Sequence, residues 1–331
     1  MDKNDITERI QALEIPLAPD LTEELIAFWD DLFEISFGHL RDVLAGSEQD
    51  ENDDIIYLIR NGAKLVGTCH LTICRSEIEL GGLGEVGTAR ELRGIGIATA
   101  LCERARDDFR DKGGQALFLG TVNPAAERVY ARLGWCKVTG ANVMGYIADG
   151  RSPDTFLIDR FGRDVSPVAV SEGSPSDRIP MIPLVVSPHH WQIMDANVGI
   201  VSTRFFVQNS CMGLYPRYVA MKDDGRGACF AGRTEKGRLV GLSTSRLDET
   251  DGCQVDGFAH PTSPEGLDAL IEAAIAWADD QGAAQCWARI SAQDQDKITR
   301  FGELGFRRTG EDEPLDVPGG QVASVRLERN T

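Results

Sequence analysis

The sequence lacks any apolar run near the roughly 20 residues that a membrane span requires. Nothing of signal-peptide type follows Met1-Asp2-Lys3-Asn4-Asp5. These absences predict a soluble chain with no membrane partner and a cytoplasmic location. No CxxC pair occurs. The eight cysteines (Cys69, Cys74, Cys102, Cys136, Cys211, Cys229, Cys253 and Cys286) are scattered through strand-like and helix-like runs. That spacing argues against a disulfide framework and for buried thiols in a reducing compartment. Histidine is scarce, at five residues, and only His189-His190 clusters. No acidic or thiol partner stands beside that pair at helical spacing, so no metal site is expected. Basic residues are outnumbered 52 to 34, giving a net charge of −18. Such a chain repels phosphate backbones, so a nucleic-acid partner is not expected. The charge suits a cationic small molecule such as an amine, although solubility alone explains most acidic chains.

What is present is an ordinary globular composition, 42% hydrophobic and 26% charged over 331 residues. A prior of about 150 residues per domain gives two domains. An internal repeat supports that count. Ile15-Pro16-Leu17 recurs as Ile182-Pro183-Leu184, Lys64-Leu65-Val66-Gly67 as Arg238-Leu239-Val240-Gly241, and Leu133-Gly134-Trp135 as Leu304-Gly305-Phe306. The order is kept at nearly one offset, which marks a duplicated domain. The expected organisation is one unit at 1–150, a linker at 151–177 with turn chemistry at Arg151-Ser152-Pro153 and Ser171–Ser176 but an apolar middle, Phe156-Leu157-Ile158, that is expected to dock rather than stay flexible, and a second unit at 178–331. The acidic run Glu48 to Asp54 reads as a solvated loop.

The pattern within each unit predicts a mixed α/β fold in which a mixed, partly antiparallel sheet is flanked by helices. In the first unit a short strand near 13–17 precedes a helix over 21–37, and strands follow at 55–60, 64–74 and 83–88. Ile97, Leu101, Ala105 and Phe109 are spaced by four and define the best-marked helix, which Gly113-Gly114 ends. After strand 116–119, Asn123 caps a helix that has Pro124 at its first position. The second unit repeats this plan, with a helix on Leu267, Leu270, Ile271, Ala274 and Ile275, a strand at 285–290 and a shorter helix over 294–304.

The chemistry concentrates at Arg93-Gly94-Ile95-Gly96-Ile97-Ala98, between a strand and the N-terminus of the best-marked helix. Two glycines there allow a tight turn and leave N–H groups uncovered, a ready anion site suited to a pyrophosphate. A plain glycine turn fits the same residues. No Gly-Lys-Ser/Thr follows, so this is no Walker A loop, and a third glycine at dinucleotide spacing is missing. Tyr130 lies on the apolar stripe of its helix and reads equally as a core residue or a site residue. Glu85 reads as a solvated strand-end carboxylate or as a base.

Arg93-x-x-Gly96-x-Ala98, followed by Asn123-Pro124-Ala125-Ala126-Glu127-Arg128-Val129-Tyr130-Ala131-Arg132-Leu133-Gly134-Trp135, resembles the two-part pattern of the GNAT superfamily of acyl-CoA-dependent acyltransferases. The resemblance covers 83–135 well, the rest of the first unit by element order, and the second unit only as a fold. It implies acetyl-CoA or another acyl-CoA as co-substrate, with the backbone from Arg93 to Ala98 (Gly94, Ile95, Gly96 and Ile97 between them) cradling the pyrophosphate. It also implies a splayed strand near Val86 to Thr88 whose N–H polarises the thioester carbonyl. Tyr130 would protonate the departing thiolate. Glu85 would relieve the amine of its proton, with His70 on the preceding strand as a second candidate. Asn123 would bond the pantetheine arm, although its capping role explains it as well. The strand before Arg93 departs from the family by being glycine-rich and by lacking the common apolar pair.

At the corresponding turn of the second unit, Thr262-Ser263-Pro264-Glu265-Gly266 has neither the arginine nor the Gly-x-Gly run. At the 171-residue offset Asn123 becomes Asp294 and Tyr130 becomes Phe301, which has no proton to give. The second unit is therefore expected to be non-catalytic, walling an acceptor pocket or pairing two copies as a homodimer. The expected function is an N-acyltransferase, most simply an acetyltransferase, acting on a small-molecule amine by direct attack in a ternary complex. The alternatives are an acyl-CoA-binding regulatory or assembly protein without turnover, and an O-acyltransferase of the same fold.

Overall fold

The computed structural model describes residues 3–162, 167–209, 211–223 and 225–330. It divides into two compact units, Met1–Lys137 with Val143–Pro153, and Val138–Asn142 with Asp154–Thr331.

The first unit runs α1 (Lys3–Glu8), β1 (Gln11–Glu14), α2 (Pro19–Phe33), α3 (Arg41–Leu44), β2 (Asn52–Asn61), β3 (Lys64–Cys74), β4 (Leu80–Thr88), α4 (Ile97–Asp111), β5 (Ala116–Gly120), α5 (Pro124–Arg132), β6 (Cys136–Lys137) and β7 (Val143–Ile147). Its seven strands lie in the order β1-β2-β3-β4-β5-β7-β6. Only β4 and β5 are parallel, and their pairing stops after Leu80↔Ala116, Gly81↔Leu117 and Gly82↔Phe118. The second half of β4 therefore diverges from β5 and leaves an opening at its C-terminal end. Period-two alternation sends Ile55, Tyr57 and Ile59 into one core with α4, and Ile56 and Leu58 into another with α2 and α3. Helix α2 stops at Phe33, short of the expected 37. Glu34 turns left-handed there, at φ 61°, and Asp30 Oδ1 accepts the Phe37 N–H at 2.7 Å.

The second unit continues with α6 (Pro153–Phe161), β8 (Val168–Glu172), α7 (Met181–Val186), β9 (Ile193–Asp195), β10 (Ile200–Val201), α8 (Tyr215–Asp223), β11 (Gly227–Thr234), β12 (Leu239–Leu247), β13 (Gly252–Ala259), α9 (Gly266–Asp280), β14 (Gln285–Ser291), α10 (Gln295–Glu303), β15 (Arg307–Val317) and β16 (Gly320–Asn330). Its sheet has the order β8-β11-β12-β13-β14-β16-β15 with the same single parallel pair, β13 with β14. Two sheets with one topology match the duplication read from the repeat.

Within 151–177, Phe156, Leu157 and Phe161 of α6 are buried while Ile158 is exposed, and β8 pairs with β11 as the edge strand of the second sheet. Two expectations are corrected. Ile182-Pro183-Leu184 lies in α7, whereas Ile15-Pro16-Leu17 follows a strand. That repeat match is a coincidence, and the strand equivalent to β1 is β8. The acidic run does not remain a loop to Asp54, because Asn52 and Asp54 open β2 and are buried.

Candidate active site

The glycine turn folds as its chemistry requires. Gly94 and Gly96 have φ of 84° and 101°, values that favour glycine, and no atom lies within 4 Å of where a Cβ would stand on either. Gly96 is the N-cap of α4, and its carbonyl accepts the first helical bond, from the Ala100 N–H at 3.0 Å. The N–H groups of Ile97, Ala98 and Thr99 thus precede the helical ladder at the positive end of the helix dipole. A cleft of about 630 Å³ opens beside them.

Val86, Thr88, Arg93, Gly94, Gly96, Ile97, Ala98 and Asn123 all line this cleft. Ile95 does not, and its side chain is exposed. Sequence reasoning missed Thr99 and Arg132, which also line it, together with Leu32 and Phe33 from the end of α2. Arg132 sits four residues after Arg128 in the last turn of α5, and that position on the helix was its only sequence signal. Arg93 and Arg132 put two cations on the cleft, against the acidic balance of the chain. Asn123 acts as a cap, its Oδ1 accepting the Ala125 N–H at 2.9 Å. An open glycine cradle, free helical N–H groups and two arginines form a donor set that fits an anionic pyrophosphate.

Tyr130 and Glu85 lie outside the cleft lining. Tyr130 is 6% exposed and packs in the α4-side core, its ring 6.3 Å from that of Trp135. Burial, with the nearby Cys102 and Cys69 thiols, pushes its phenol far above the ordinary value, so it stays protonated. Among the described residues its hydroxyl has no hydrogen-bond partner.

Glu85 occupies a β-bulge. Thr68 pairs with Gly87 and His70 with Gly84, so Glu85 and Val86 together face Cys69. Glu85 has φ 48°, and its carbonyl accepts the Thr68 hydroxyl at 2.8 Å, while the Trp29 indole donates to that same hydroxyl at 3.0 Å. The bulge re-aims the Glu85 side chain toward His70. His70 Nδ1 lies 2.9 Å from Glu85 Oε2, and Nε2 lies 2.6 Å from Asp54 Oδ1. The two proposed bases are thus hydrogen-bonded to each other, and Asp54, read from sequence as part of a loop, completes the chain. Its signal was the period-two register of Asp54, Ile56 and Leu58. Burial alone would lower the His70 value; the hydrogen bonds and charges of Asp54 and Glu85 outweigh it and raise it to about 9.

The second unit fills the equivalent opening with its own chain. Segment 192–197 bonds on one side to β13, through Ala196 N–H to Asp256 Oδ2 at 2.7 Å and Asn197 Nδ2 to the Gln254 carbonyl at 3.1 Å. On the other side the N–H groups of Gln192 and Ile193 donate to Asp294, at 2.8 and 3.1 Å. At the 171-residue offset Asp294 stands for Asn123 and Lys297 for Ala126, a cleft residue in the first unit. Lys297 is fully buried, 2.5 Å from Asp256, and also donates to the carbonyls of Ile193 and Met194. Among the described residues no cluster of metal-ligating side chains occurs. His189 instead accepts the Trp191 N–H and bonds the Ala259 carbonyl.

Residues 18–135 match the model of the Acetyltransferase (GNAT) family. That segment is a GNAT acetyltransferase domain, and acetyl-CoA is the acyl donor of its family. Similar solved structures include an N-acetyltransferase from Staphylococcus aureus, 11% identical, covering 50% of this chain and 99% of that one at a TM-score of 0.39. A ribosomal-protein-alanine N-acetyltransferase from Brucella melitensis is 13% identical, covering 49% and 99% at 0.39. A phosphinothricin acetyltransferase from Sinorhizobium meliloti in complex with acetyl-CoA is 12% identical, covering 49% and 88% at 0.40. No curated protein matches the sequence. No described helix is long and apolar enough to cross a membrane.

Proposed function

We propose that the first unit is an acyl-CoA-dependent N-acyltransferase that acetylates a small-molecule amine by direct attack, and that the second unit is a non-catalytic lobe. The single observation that carries this reading is the cleft that opens between the glycine cradle and Val86 to Thr88 of β4, with Glu85, the residue before Val86, hydrogen-bonded to His70. When bound, acyl-CoA supplies an activated thioester. The N–H groups of Ile97, Ala98 and Thr99, with Arg93 and Arg132, would hold its phosphates. The stretch of β4 at Val86 to Thr88, which has parted from β5, would offer an N–H to the developing oxyanion. Glu85 takes the proton that the amine gives up as its C–N bond forms, and Tyr130 protonates the departing thiolate. The location of this proposed enzyme is cytoplasmic.

Release of free CoA thiol from acetyl-CoA in the presence of an amine panel tests the proposal. Thiol release with an acetylated amine in the product mass spectrum supports it; a chain that binds no acyl-CoA by calorimetry overturns it. A second reading, acyl-CoA binding without turnover, draws on Tyr130 and Glu85 lying outside the cleft lining. Turnover with any acceptor excludes that reading.

A further inference from the structure

Three side chains on the α2 face of the first sheet form a line. Asp54 on β2 and His70 on β3 have no exposed side-chain surface, and Glu85 at the bulge of β4 is 12% exposed. The line therefore has one open end, and that end is Glu85. Thr72 fixes the closed end, its hydroxyl donating to Asp54 Oδ1 at 2.6 Å. Register explains the alignment: β2 pairs with β3 as Asp54↔Thr72 and Ile56↔His70, so Asp54 and His70 project from the same face one step apart. The charged groups on His70 come from two elements, Asp54 from β2 and Glu85 from β4. Its own strand contributes Thr68 and Thr72, which are uncharged. Helices α2 and α3, which cover this face, bury Leu25, Ile26, Trp29, Val43 and Leu44 there.

We propose that Asp54 and His70 are positioning residues for Glu85, holding its carboxylate with one oxygen bound and the other turned to the acceptor amine. The doubly protonated His70 gives its Nε2–H to Asp54 Oδ1 and its Nδ1–H to Glu85 Oε2. Oε1 is left to receive the proton from the amine. His70 keeps both of its protons throughout, Asp54 stays a carboxylate, and only Glu85 changes charge. The inference rests on Glu85 being the base.

The test is the pH dependence of kcat with one fixed amine, for the intact chain and for Asp54→Asn, His70→Gln, His70→Ala and Glu85→Gln. Glu85→Gln losing activity upholds the base; Glu85→Gln retaining it overturns the base reading and this inference with it. With the base upheld, Asp54→Asn is expected to lower kcat about tenfold or more. It also moves the alkaline limb to lower pH, because an amide holds the imidazolium less firmly than a carboxylate. The KM for acetyl-CoA stays within about twofold, because no part of the chain Asp54–His70 touches the glycine cradle. His70→Gln, whose amide can still donate to Glu85, retains more kcat than His70→Ala. An unchanged alkaline limb in Asp54→Asn, or equal losses in the two His70 variants, overturns the inference alone. If Asp54→Asn fails to fold, the nitrogen shifts of His70 in the unaltered chain decide. An imidazolium persisting to about pH 9 supports the line, and titration near 6.5 overturns it.

Discussion

Tyr130 and His70 are the two residues whose environments say most about what each can do. Burial keeps the Tyr130 phenol protonated, which an acid requires and a base does not. Replacing Tyr130 by Phe is therefore expected to lower kcat while leaving the KM for acetyl-CoA nearly unchanged; unchanged turnover, measured by thiol release, removes Tyr130 from the mechanism. His70 gains partners on folding, and its value rises from 6.5 to about 9. Its contribution to stability is fully present below pH 6.5 and is lost as pH climbs through about 9. Urea unfolding at pH 6 and pH 9.5 is expected to show a smaller pH-dependent loss for His70→Gln than for the unaltered chain. At this scale the sequence was readable where chemistry is local. Gly94, Gly96 and Asn123 carry their turn and cap signals in neighbouring residues. Asp54 was not readable, because its burial depends on β3 supplying His70 and Thr72 to one face.

Elements were legible wherever one helix or strand carries its own period. Helix α4 follows the spacing of Ile97, Leu101, Ala105 and Phe109, and all four are buried. Two of the three repeated tripeptides and tetrapeptides have a common physical cause. Gly134 and Gly305 both turn left-handed, at φ 98° and 89°, to end α5 and α10. A Cβ on Gly67 would stand 2.4 Å from Ile97 of α4, and one on Gly241 would stand 2.5 Å from Leu270 of α9. Each glycine lets the main helix of its unit lie close on the sheet. Strand β8 was hidden because its burial pattern is mostly exposed and its partner, β11, lies some 60 residues on. The 192–197 segment was hidden for the same reason: its hydrogen bonds to β13 and to Asp294 span 57 to 102 positions. It rests on a buried charge cluster in which burial and Asp256 raise Asp195 to about 7, against the opposing pull of Lys297. Lys297→Met leaves Asp256 buried without its counter-charge and is expected to cost about 3–5 kcal/mol in chemical denaturation. A cost below about 1 kcal/mol contradicts the role given to that lysine.

The whole molecule carries one family domain and one copy of its sheet that has been closed from within. A net charge of −18 disfavours anions in general, so on the proposed reading the nucleotide end of an acyl-CoA would be held locally, by helical N–H groups, Arg93 and Arg132, which line the cleft. The corresponding turn of the second unit, Thr262 to Gly266, has neither the arginine nor the Gly-x-Gly run. In the second, Lys297 and segment 192–197 take the place that the cleft has in the first. The central claim is a single acyl-transfer site per chain, and calorimetric titration of the intact chain with acetyl-CoA tests it most directly. One equivalent bound, lost when Gly94 and Gly96 are both replaced by valine and kept in Lys297→Met, is the predicted result. Two equivalents, or one that survives the double glycine replacement, would contradict it.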